Sequence, residues 1–82
     1  VDRAELEAMR EKVAEANGFS LYKQYGEEQA AHFLQVDIST LKRLRREGKV
    51  PYVNLGERLV RYLGLHIADM ILGVHNATLR KD

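Results

Sequence analysis

The chain has 82 residues, 45% hydrophobic and 30% charged, with a formal net charge of +1 and no cysteine. That describes one small globular domain, burying only about 60–65% of its unfolded surface. It excludes a disordered chain, a disulfide framework and a thiolate metal site, and with apolar runs this short no membrane-spanning or signal segment is expected within these residues.

Residues 2–16, "DRAELEAMREKVAEA", read as a helix. Asp2 can cap it, with Glu5 three residues on in a capping-box arrangement. Leu6, Met9, Val13 and Ala16 form a narrow apolar stripe, suited either to the domain's own core or to a dimer seam. Asn17-Gly18 tolerates the left-handed conformation of a helix end. "FSLYKQYG" (19–26) reads as irregular, with Phe19, Leu21, Tyr22 and Tyr25 covering the core. "EEQAAHFLQ" (27–35) is a short helix with Gly26 as its cap, glutamates at its positive end and Ala30, Ala31 and Leu34 on one face.

Asp37 or Ser39 caps the next helix, 39–47, and Gly48 ends it. "KVPYVNLGERLVRYL" then changes period. β-Branched and aromatic residues flank Gly56-Glu57, a dipeptide suited to a tight hairpin turn, and Pro51 marks the first strand as an edge. "LHIADMILG" (65–73) is a final short helix with Leu65, Ala68, Ile71 and Leu72 inward, and residues 74–82 read as a flexible tail.

Charge is unevenly spread along these elements. Residues 1–18 balance to −2, whereas residues 38–61 carry seven Lys/Arg against Glu47 and Glu57, a balance of +5. A local field of that sign favours a polyanionic partner. Within residues 27–46, alanine falls at the fourth and fifth places, Leu34 at the eighth, Val36 at the tenth, Leu41 at the fifteenth and Leu44 at the eighteenth. This is the hydrophobic pattern of a helix-turn-helix, in which the alanines allow close crossing, Val36 plugs the turn, and Leu41 and Leu44 seat the second helix.

At 100° per residue, Ser39, Lys42, Arg43 and Arg46 lie opposite Leu41 and Leu44, with Arg45 and Thr40 on the two flanks. Arg and Lys can donate to guanine O6 and N7, and Ser and Thr can serve bases or phosphates. Lys49 follows the helix, Asn54 lies on the first hairpin strand, and Arg58 and Arg61 lie at and beyond the turn, where they fit backbone or minor-groove contact. The same two arginines also fit a hairpin that is merely solubilised by charge and paired with Glu57.

The run from Tyr25 to Ile71 resembles the winged helix-turn-helix of excisionase-type and MerR-like DNA-binding proteins. The resemblance rests on "EEQAAHFLQVDISTL", "REGKVP", "LGER" and "HIADMI", and covers about residues 25–73. The chain departs from the family at Gln35, where a turn glycine is common, and in residues 1–18, which lie outside the compact module. The implied fold is mainly α with a small β-hairpin: an N-terminal helix (1–18) for packing or dimerisation, a winged helix-turn-helix (19–73) and a tail.

The expected function is sequence-specific binding of double-stranded DNA by a small cytoplasmic regulator of transcription or excision, self-associating on its sites. No cofactor, small-molecule ligand or membrane partner is implied. A protein-interaction adaptor working through residues 6–16, or a nonspecific architectural DNA binder, are the rival readings. His32, His66 and His75 match no metal pattern, and His66 and Asp69 read as a surface pair. No nucleophile, base and carboxylate fall into a catalytic arrangement, so no enzyme activity is expected.

Overall fold

Helix α1 (Arg3–Asn17) begins where its capping box closes. Asp2 accepts the Glu5 N–H at 2.8 Å, and Glu5 Oε1 accepts the Asp2 N–H at 3.4 Å. Gly18 ends the helix in the left-handed region at φ 79°. The computed structural model describes residues 2–73, so the tail expected over 74–82 lies outside the described residues. After α1 come β1 (Gln24–Tyr25), α2 (Glu27–Leu34), α3 (Ile38–Arg46), β2 (Val53–Asn54), β3 (Val60–Leu63) and α4 (Gly64–Leu72). The architecture is mainly helical with a small antiparallel sheet of order β1-β3-β2.

Ala30 and Ala31 are buried on α2, and their small side chains let α3 close on it through the fully buried Leu41. Leu41, Tyr62 of β3 and Ile67 of α4 are the largest fully buried side chains, so the core lies where α2, α3, β3 and α4 converge. Phe33 joins it, with ring centroids 4.9 Å from Phe19 and 5.2 Å from Tyr25. Helix α1 packs on α4. There Arg10 grips Asp69 with two hydrogen bonds, Nε to Oδ1 at 2.6 Å and Nη2 to Oδ2 at 3.1 Å.

Several features differ from the sequence expectations, each for a local reason. Segment 19–26 is not wholly irregular: Gln24 and Tyr25 pair with Leu63 and Tyr62. Beside that strand the Gly64 N–H donates to Lys23 C=O and the Leu65 N–H to Leu21 C=O. Gly64 is required there, because a Cβ would collide with the Ser20 carbonyl. Tyr22 points to solvent, 80% exposed, because Leu21 and Tyr25 take the inner positions around it.

Val36 is exposed rather than plugging the turn, and the partly buried Ile38 packs on the core beyond it. Gln35 takes the conformation a glycine would favour, φ 60°, so that the backbone can reverse between α2 and α3. Helix α3 starts at Ile38, with Asp37 as its N-cap residue but no side-chain capping bond.

The hairpin loop is wider than a two-residue turn. Leu55 N–H donates to Leu59 C=O at 2.9 Å and Leu59 N–H to Gly56 C=O at 3.1 Å, and Arg58 takes a positive φ of 65° within the loop. In α4, Ile67, Ala68 and Asp69 face inward while Ile71 is exposed. Asp69 therefore lies in the interior and not at the surface, and its burial is balanced by Arg10.

Candidate nucleic-acid interface

Leu41 at the core fixes the rotation of α3, and the rest of the helix follows from 100° per residue. Ser39, Lys42, Arg43 and Arg46 are all exposed, Thr40 and Leu44 are half-buried, and Leu41 is sealed. Among the described residues neither Lys42 nor Arg46 enters an ion pair. Arg43 and Lys49 share Glu47, at 3.7 and 3.4 Å. Those two contacts lie at the surface, where such pairs contribute little and give way readily to a competing anion.

Arg45 is placed differently. From its flank it turns inward, and its Nε donates to Glu27 Oε2 at 2.7 Å, the same oxygen that accepts the Tyr62 hydroxyl at 2.7 Å. Its guanidinium also lies 5.8 Å from the centroid of the Tyr52 ring, a cation–π contact. One carboxylate thus joins α2, α3 and β3, and Arg45 is a brace between helix and hairpin rather than part of the exposed row. Burial alone would raise the Glu27 carboxyl. The hydrogen bonds from Arg45 and Tyr62, with the nearby charges of Arg45 and Lys42, outweigh it and hold Glu27 below its ordinary value. Tyr62 is pushed well above the ordinary phenol range by burial and by the carboxylate it bonds. Both shifts favour the arrangement seen, a charged carboxylate and a protonated hydroxyl.

The hairpin loop stands beside this brace, and Arg45, Asn54, Gly56, Glu57 and Arg58 line a shallow concavity between α3 and the loop. Asn54 Oδ1 accepts the Gly56 N–H at 3.2 Å, so that side chain shapes the loop. Arg58 is exposed, and the half-buried Arg61 donates to the neighbouring Val60 carbonyl at 3.2 Å. Glu27, Tyr52 and Tyr62 are the functional-site neighbours that the sequence reading did not single out. Their one signal was the flank position of Arg45, where a long side chain meets a neighbouring element before it meets solvent.

Among the described residues no cluster of His, Asp and Glu is arranged to hold a metal ion, and no helix is long and apolar enough to cross a membrane. No protein-family model, curated protein or solved structure matches this chain.

Proposed function

We propose that this chain is a winged helix-turn-helix protein that binds double-stranded DNA with sequence preference. In this reading α3 enters the major groove and the 50–63 hairpin is the wing, lying against the backbone or minor groove. The observation that carries it is the row Ser39, Lys42, Arg43 and Arg46, open to solvent along one side of a helix seated by Leu41. A helix presenting cations and a hydroxyl on its outer face has the donors that guanine edges and phosphates accept. The resemblance to excisionase-type and MerR-like proteins supports the same reading and points to a small regulator of transcription or excision. Copies are expected to sit on adjacent or repeated sites.

A binding selection from a random duplex library, followed by mobility-shift assays on the enriched sequence, tests the proposal. With about five phosphates neutralised, affinity should fall some hundreds-fold between about 50 and 200 mM salt. Arg46→Ala and Arg43→Ala should each cost about 1–3 kcal/mol on the selected site if they read bases. A selection that enriches no motif, or a salt response that stays flat, would overturn the reading.

A further inference from the structure

The hairpin carries apolar surface that the fold does not use. Its ladder pairs Val53 with Arg61 and Asn54 with Val60. The Leu55 N–H bond to Leu59 C=O extends that ladder by one step, setting the two leucines opposite one another. Side chains alternate between the faces of a ladder. Tyr62, fully buried, and Val60, packed on the core, mark the inner face. Leu55 and Leu59 therefore fall on the outer face with Val53 and Arg61, and they are 55% and 45% exposed.

The tip is also built to hold its shape. The two backbone bonds across the loop, together with the Asn54 side chain on the Gly56 N–H, fix the residues between the leucines. Arg58 stands next to Leu59, Arg61 lies two residues beyond it, and Glu57 is the single carboxylate within the loop. An exposed apolar pair set among arginines suits a surface that is negatively charged outside and apolar within. The minor groove of a duplex is such a surface: phosphates line its rims, and stacked base faces open when a step is parted.

We propose that Leu55 and Leu59 form a wedge that enters the minor groove of the bound duplex and unstacks one base step, with Arg58 and Arg61 anchoring the phosphates beside it. This rests on the DNA-binding reading and goes beyond it, because it assigns the hairpin a deformation of the duplex. The preferred flank is then one that parts easily, such as a pyrimidine–purine step.

Permanganate footprinting tests the wedge, since permanganate attacks unstacked thymines. The probe is the library-selected duplex, with thymines walked through the sequence flanking its motif. Wild-type protein should make thymines at one flanking step hyper-reactive. Leu55→Ala/Leu59→Ala should return them to the level of the free duplex, while Leu55→Met/Leu59→Met should retain the signal. Both variants change exposed side chains, and a thermal melt should show them folded.

Bound wild type with no hyper-reactive step, or a signal that survives the double alanine variant, overturns the wedge and leaves the DNA reading standing. Failure to retain any duplex overturns the DNA reading itself. If sedimentation without DNA shows a dimer that the alanine variant abolishes, with no hyper-reactive step, the strip belongs to a second copy and the wedge is wrong.

Discussion

Arg45→Met tests the brace between α3 and the hairpin. The change keeps most of the apolar stem but leaves Glu27, among the described residues, with the Tyr62 hydroxyl as its remaining side-chain donor. The Glu27 side chain is only 14% exposed and that of Arg45 21%, so solvent replaces the missing guanidinium incompletely. A hydrogen bond to a charged group is worth about 1.5–3 kcal/mol, and stranding a buried charge can cost more. Residual solvent access argues for the lower part of that range, about 2 kcal/mol. Each kcal/mol shifts Tm by roughly 4–8 °C in a domain of this size. The expected drop is therefore about 8–16 °C by circular dichroism. Glu27→Gln/Arg45→Met should recover part of the loss, because no charge is then stranded. Affinity for the selected DNA, corrected for the folded fraction, should change far less than in Arg46→Ala. Denaturant unfolding of Arg45→Met within about 0.5 kcal/mol of wild type would refute the reasoning.

The brace also predicts acid sensitivity. Glu27 has its folded pKa below its ordinary value of 4.5, so the unfolded chain takes up the proton first as pH falls. Its contribution is complete above 4.5 and is lost as pH drops through the folded value. The stability gap between wild type and Glu27→Gln should therefore shrink in acid, and a gap that stays constant would contradict it. Gly64→Ala should cost about 3 kcal/mol or more in denaturant unfolding, since its methyl meets the Ser20 backbone and threatens the bonds to Lys23 and Leu21. Gly26→Ala, where the same methyl meets open space, should stay within about 1 kcal/mol. Gln35→Gly should raise stability by about 0.5–1 kcal/mol by relieving the left-handed backbone, and a lower Tm would argue against strain there.

Local signals carried the helices well. Asp2, Glu5 and Asn17-Gly18 mark both ends of α1 within a residue, and the alanine and leucine spacing places α2 and α3. The exposed row on α3 was legible because Leu41 and Leu44 alone set its rotation. What escaped depends on partners distant in sequence. Two residues of β1 are too few to show a period, and they become a strand only by pairing with Leu63 and Tyr62. Helix α4 is apolar nearly all round, so its own pattern gives no phase. Asp69 turns inward because Arg10, 59 residues earlier, is there to meet it. Arg45 looked like one more cation in a basic run, and its capture by Glu27 depends on how closely α2, α3 and β3 meet.

The Arg10–Asp69 clasp bears on how the chain reaches this shape. During synthesis α1 emerges long before the segment it leans on, and an isolated helix of 15 residues is marginal in water. Its docking on α4 therefore requires that later segment to be in place. Deleting it would leave the carboxylate of Asp69 stranded against the core, which makes α1 a poor candidate for an appendage that can be trimmed away.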